Sequence, residues 1–185
     1  MAVPDIAFDQ ASNLVISDSG HNVVRSINNR TGIITTIAGS GKSDFNGDRI
    51  KATEANLTSK SILISGSILY IADSSNNRIR QVNLTSGQIT TVAGNGNTGF
   101  SGDNDLAVNA SLNNPNGISL DEKNNLFIAD SSNNRIRRVN LSTNIITTVA
   151  GSGKNDYSGD GSPAVNAGLV FGEICTNHPK VPQNK

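Results

Sequence analysis

Residues 125–140 read NLFIADSSNNRIRRVN, and nearly the same words stand at 69–83, LYIADSSNNRIRQVN. A weaker copy, LVISDSGHNVVRSI, covers 14–27. The shared aspartate falls at Asp18, Asp73 and Asp130, so the copies lie 55 and 57 residues apart. The stretch after each copy also repeats, as IITTIAGSGKSDFNGD (33–48), QITTVAGNGNTGFSGD (88–103) and NIITTVAGSGKNDYSGD (144–160). A period of this length has room for four short strands and their loops. It predicts a β-propeller or another stacked array, whose units cannot bury their own faces alone.

The second copy parses most cleanly. SILYIAD (67–73) is a β-rich run that ends on Asp73, and SSNN (74–77) is a turn by composition. RIRQVNL (78–84) alternates as a strand does, TSG (85–87) turns again, and QITTVAG (88–94) is a strand stopped by Gly94. A long Gly/Asp-rich stretch (95–115) comes next, with LAVNASL (106–112) as a single helical turn or two. NGISLD (116–121) then supplies the first strand of the next copy. The expected architecture is all-β, a partial β-propeller of three four-stranded blades at about 3–39, 61–94 and 116–151, with long loops between blades and an irregular tail at 171–185. In an antiparallel meander, alternate connections lie at opposite ends. One end should carry every Asp turn and every long loop, and the other only tight hairpins. Loops carry recognition more often than frameworks do, so the loop-rich face is the expected binding face.

Composition narrows the function classes. The 185 residues carry 15 basic and 15 acidic side chains, a formal net charge of zero, and only 4% aromatics. A nucleic-acid binder is expected to show a basic surplus or stacking aromatics, so no nucleic-acid partner is expected. The single cysteine, Cys175, makes no intrachain disulfide, and no apolar run is long enough for a membrane helix. No cofactor is indicated, and compartment is left open.

These residues resemble the NHL-repeat family of β-propellers. The resemblance rests on 69–83, 125–140, ITTVAGNGNTGFSGDNDLAVNASLNNPNGI (89–118) and ITTVAGSGKNDYSGDGSPAVNAGL (146–169), and covers roughly residues 4–170. The long AGxGxxxxSGD insertion is similar to the arrays of secreted, cell-surface or bacterial NHL proteins, including teneurin-like ectodomains. That slightly favours an extracellular setting. The resemblance implies a ring of about six blades, whereas three repeats are present. A fragment of a larger array is therefore expected, with self-association through open blade ends as the alternative. The first repeat departs from the pattern, with His21-Asn22-Val23 where the others have Asn-Asn-Arg.

Asp18, Asp73 and Asp130 end a strand before a Ser/Asn turn, and a structural role as acceptors for that turn's N–H groups weighs more than a ring of free carboxylates. Arg25, Arg80 and Arg137 share one strand position; between blades they must be paired, so a structural role is expected. Asp48, Asp103 and Asp160 belong to Gly-Asp pairs that invite a calcium reading. The loop DYSGDG (156–161) has the first positions of an EF-hand loop, but Ala167 stands at the twelfth where a bidentate Glu is needed, so no metal site is assigned. The Cys175/His178 pair has no further soft ligands. No catalytic constellation is visible; Asp5, Asp9 and Asp121 are the carboxylates of the innermost strands. The expected function is a non-catalytic scaffold for protein–protein or ligand recognition, with Asp18, Asp73, Asp130, Asp48, Asp103 and Asp160 as candidate binding residues. The alternative is a lyase- or lactonase-type propeller enzyme with a channel-bound metal.

Overall fold

The computed structural model describes residues 5–171. The tail beyond it, with Cys175 and His178, and the first residues of the first blade lie outside the described residues. Three antiparallel sheets succeed one another along the chain. The first holds β1 (Ile6–Phe8), β2 (Leu14–Asp18), β3 (Val23–Ile27) and β4 (Ile34–Ala38) in sequential order. The second holds β6 (Ser59–Ser65), β7 (Ile68–Asp73), β8 (Arg78–Asn83) and β9 (Gln88–Ala93), with β5 (Ile50–Lys51) added outside β9. The third holds β10 (Pro115–Leu120), β11 (Asn125–Asp130), β12 (Arg135–Asn140) and β13 (Ile145–Ala150). Each is one propeller blade.

The fifth strand belongs to a linker, and the repeat pattern alone does not reveal it. The linker leaving blade one lays β5 against β9 of blade two, pairing Ile50 with Ile89. The linker leaving blade two makes the same contact as a single bridge, Leu106 to Ile145. In both, the backbone then turns through a one-turn 3₁₀ helix, Ala52–Glu54 or Ala107–Asn109, so the helical turn expected near 106–112 is this short. The linkers also reach the third hairpin of the next blade: Ala52 N–H donates to Gly87 O, and Ala107 N–H to Asn144 O, both at 2.8 Å. The end expected to carry only tight hairpins is therefore touched by linkers too. The reason is that a linker must cover the unpaired outer strand of the blade it enters.

The core lies between blades, not within them. Along β7, Leu69 and Ile71 enter one apolar cluster with Val15, Val24 and Leu57 of the first blade and linker. Tyr70 and Ala72 enter another with Leu112, Leu126 and Ile128 of the third. The near-continuous burial of β7 results from this two-sided cover. Burial between the blades pushes the Tyr70 hydroxyl above its ordinary range.

The Asp turn has one geometry in the second and third blades. After Asp73 the chain makes a 3₁₀ turn (Ser74–Asn76) and reaches Asn77 in the left-handed region, φ 50°, with Asn134 the counterpart at φ 52°. Asparagine tolerates this conformation. Gly94, at φ 94°, succeeds the outer strand, and a Cβ there would collide with the Asn77 carbonyl; Gly39 and Gly151 stand in the same relation to Asn22 and Asn134. The glycine that stops each outer strand is thus required by close backbone approach as well as by φ.

Candidate functional site

The repeated charged residues converge where a linker crosses the next blade. Asp73 lies at the end of β7, fully buried, and Arg80 sits across the β7–β8 ladder, also fully buried. Arg80 Nη1 is 3.5 Å from Asp73 Oδ2, and Nη2 donates to Asp48 Oδ1 at 3.0 Å and to Gly47 O at 2.8 Å. Blade three repeats this: Arg137 Nη1 is 3.4 Å from Asp130 Oδ2, and Nη2 donates to Asp103 Oδ1 at 2.9 Å and Ser101 O at 3.0 Å. The Gly-Asp pair of one linker thus meets the arginine of the blade that the linker enters.

The strand-end carboxylates also serve the backbone. Asp73 Oδ1 accepts Thr58 N–H at 2.8 Å and Asn76 Nδ2 at 2.9 Å. Asp130 accepts Asn113 N–H and Asn133 Nδ2, each at 2.8 Å. Burial nevertheless holds both carboxyls above the ordinary carboxylate value, outweighing these bonds and the neighbouring arginines.

An aromatic residue that the sequence reading does not single out closes each site. The Arg78 guanidinium lies 3.8 Å from the Phe45 ring centre and Arg80 4.9 Å; Arg135 and Arg137 lie 3.9 and 4.8 Å from Phe100. These are cation–π distances. Arg78 and Arg135 also donate to linker carbonyls, Asn95 O and Ser152 O. The signal in the sequence is an aromatic three residues before the aspartate in each Gly-Asp copy, at Phe45, Phe100 and Tyr157.

Blade one and the third linker hold the same residues differently. Asp18 Oδ2 is 3.8 Å from Arg25 Nη1, with side chains 24% and 37% exposed. His21 Nδ1 lies 2.8 Å from Asp18 Oδ1. Asp160 is exposed and accepts the Tyr157 hydroxyl at 2.7 Å, a bond that raises the tyrosine's pKa. The inner-strand carboxylates are held in turns or between blades. Asp9 accepts Ala11 and Asn13 N–H, Asp121 accepts Lys123 and Asn125 N–H, and Asp5 Oδ2 accepts Ser61 Oγ–H and Ile62 N–H of the second blade. Among the described residues, no three His, Cys, Asp or Glu side chains cluster as a metal site would require.

Among the described residues, clefts on the loop-rich face include these two. One, of about 410 Å³, lies between the Ser19–Asn22 turn and Thr58–Lys60. The other, of about 310 Å³, is lined by Asn114, Asn116, Ser131, Ser132 and Asn134, with Asn155, Val170 and Phe171.

Repeated four-stranded antiparallel blades packed face to face, with linkers sealing the outer edges they cross, define a β-propeller segment. The family model for the NHL repeat matches residues 112–139, which run from the end of the second linker through β12. The chain belongs to the NHL-repeat family. It is 33% identical over 134 residues to NHL repeat-containing protein 2 of Bos taurus, an alignment covering 67% of this chain and 18% of that protein. The chain therefore spans less than a fifth of the length of that relative. Among solved structures, it is similar to a structural-genomics protein of unknown function from Bacteroides thetaiotaomicron. The TM-score is 0.68 at 19% identity, over 90% of this chain and 40% of the other. A streptogramin B lyase superposes at TM-score 0.52 and 12% identity, over 80% and 40%. At these identities the structural likenesses establish the fold alone.

Proposed function

We propose that this chain is a non-catalytic recognition scaffold that presents its loop-rich face to a protein partner. The observation that carries this reading is the lining of the two clefts on that face, where amides and hydroxyls of Asn, Ser and Thr predominate and Lys60 is the one ionisable side chain. Such groups both donate and accept, which suits the backbone and polar side chains of another chain. Catalysis by proton transfer would need an ionisable group within reach of substrate. Asp73, Asp130, Asp48 and Asp103 are instead engaged by arginines and turn amides, which supports a structural role for them and for Arg80 and Arg137.

A photo-crosslinking residue placed at exposed Ser132, beside the cleft, should trap a partner in extracts. The same residue at exposed Ser86, on the hairpin between β8 and β9, should not. Equal trapping at both positions would sink the loop-face assignment. A divalent-cation-dependent rise in melting temperature would turn the reading towards the metal-bound enzyme.

A further inference from the structure

The linker between blades two and three carries a residue that the linker between blades one and two lacks. Thr58 and Asn113 are counterparts, since each gives its N–H to the buried aspartate of the blade it enters. Ile62 and Ile118 are counterparts too, facing Ile71 and Ile128 across the inner hairpin. Three residues lie between Thr58 and Ile62, and four between Asn113 and Ile118. Ser59 faces Asp73 as Pro115 faces Asp130, so the extra residue is Asn114, held in the left-handed region at φ 50°. Asn114 N–H donates to Asn77 Oδ1 at 2.9 Å, and Ser74 Oγ–H donates to the Pro115 carbonyl. The turn of blade two thus engages a backbone N–H and the carbonyl of the residue after it.

The turn of blade one presents the same two side chains to the shorter linker. Ser19 and Asn22 stand in the register of Ser74 and Asn77. Asn22 has φ 55°, and its Nδ2 donates to Gly41 O at 3.4 Å, as Asn77 Nδ2 donates to Gly96 O at 3.4 Å. The two Oδ1 atoms are therefore aimed alike. Without the extra residue no linker backbone reaches this pair. The Ser59 carbonyl accepts from Ser17 Oγ–H instead, at 3.1 Å. Among the described residues, nothing donates to Asn22 Oδ1 and nothing pairs with Ser19 Oγ. The cleft of about 410 Å³ opens here, with Ser19, Asn22 and the exposed Lys60 in its wall.

We propose that this cleft binds a short peptide segment of the protein partner, in the place that Asn114 and Pro115 take at the other junction. The N–H of one partner residue donates to Asn22 Oδ1, the carbonyl of the next accepts from Ser19 Oγ–H, and a neighbouring acidic side chain pairs with Lys60. This rests on the loop-face reading and deepens it, because it names the groups that are recognised and the sign of the charge. The occupant is set by the internal template: the same asparagine and serine already hold two consecutive backbone groups in blade two. Each neutral bond adds little by itself, so an isolated segment should bind with a Kd of about 1 mM. The rest of the partner's affinity would come from the surrounding face.

NMR titration of the isotope-labelled intact chain with the capped peptide acetyl-Asn-Pro-Asp-amide tests it. The peptide copies the template and carries an acid for Lys60. Amide shifts should move at Gly20, Asn22, Ser59 and Lys60. The same peptide with its asparagine nitrogen methylated lacks the N–H and should bind about tenfold more weakly. Asn22→Gly keeps the positive φ but removes the acceptor, and should lose a similar factor. Insertion of an asparagine between Thr58 and Ser59, which copies the longer linker, should fill the cleft and abolish the titration. Acetyl-Asn-Pro-Asn-amide should bind the wild type about threefold more weakly than the acidic peptide, and Lys60→Gln should remove that preference. Spectra with undisturbed dispersion would show that each variant folds. No movement of the cleft resonances up to about 10 mM peptide would overturn the proposal. So would equal binding of the methylated peptide to the wild type. If the peptide fails while Ser132 traps a partner and Ser86 does not, this inference falls and the loop-face reading stands. Equal trapping at those two positions sinks the face assignment whatever the peptide does.

Discussion

Blades one and three share a turn aspartate, a strand arginine and the same cross-strand register, yet they hold the pair in different states. Asp18 and Arg25 are 3.8 Å apart and partly solvated, whereas Asp130 and Arg137 are 3.4 Å apart and fully buried. The strands do not account for the difference, because Ile16 faces Arg25 as Ile128 faces Arg137. The linker does. Asp103, Ser101 and Phe100 arrive from the preceding blade and cap Arg137, and among the described residues nothing equivalent caps Arg25. The buried ion pair is therefore a property of the junction between repeats, and the repeat sequence alone does not create it. This is how energy is distributed in repeat proteins, where interface terms between neighbours add to what each unit holds by itself.

The largest expected contrast comes from removing the arginine. Arg137→Ala would leave Asp130 as an uncompensated buried charge and strip Asp103 of its partner. A loss of about 3–5 kcal/mol is expected. Arg25→Ala acts on a half-exposed, solvent-screened pair and should cost about 1 kcal/mol or less. Urea denaturation of the two variants checks this directly. Equal losses would break the comparison, because they would show that burial of the pair contributes nothing beyond what a solvated pair does.

Removing the acid should give a smaller contrast. Asp130→Ala deprives Asn113 N–H of its acceptor but leaves Arg137 bound to Asp103 and the Ser101 carbonyl. A loss of about 1–3 kcal/mol is expected, in line with an unsatisfied buried donor. Asp18→Ala, at a carboxylate whose partners are a half-exposed arginine and the exposed His21, should lie below that range. Thermal or chemical melts that place the two variants together would show that the turn, and not the junction, sets the role of this aspartate.

The parts of this architecture that repeat along one strand are legible in the sequence. Strand ends fall where Asp73, Gly94 and Asp130 indicate, because Gly and Asx turn chemistry acts locally. The need to pair Arg80 and Arg137 is also legible, since an apolar, alternating strand leaves no water for a guanidinium. Every contact between a linker and the blade it enters stays hidden at that level. Asp48 lies 32 positions before Arg80, and Phe45 before that, with no periodicity to link them. Ile50 and Lys51 form a strand only because β9 offers an unpaired edge. In blade one, Arg25 reads like its counterparts, and the partial solvation of its pair with Asp18 is a fact of neighbours that one repeat does not encode.

The smallest expected effect is the pH signature of the buried pair. Burial holds the folded pKa of Asp130 above its ordinary value of 3.8. Between the unfolded and folded values the native state keeps a proton that the unfolded chain has lost. The contribution of this group to stability is therefore fully present below the unfolded pKa and declines as pH rises through the folded one. Asp121, in the exposed turn of the same blade, has the opposite sign: bonds from Asn125 lower its pKa, so its contribution is present above the unfolded value and is lost as pH falls through the folded one. Urea stability measured across the acid range should show a falling limb that Asp130→Asn reduces, Asp73 supplying the rest, and a weaker rising limb that Asp121→Asn reduces. Carboxyl-carbon NMR titration should place Asp130 above and Asp121 below the ordinary carboxylate range. If Asp130 titrated below that range, Arg137 and the turn amides would outweigh burial. The junction would then stabilise a charge instead of enclosing one at a cost, and the contrast with the solvated pair of blade one would lie in geometry alone.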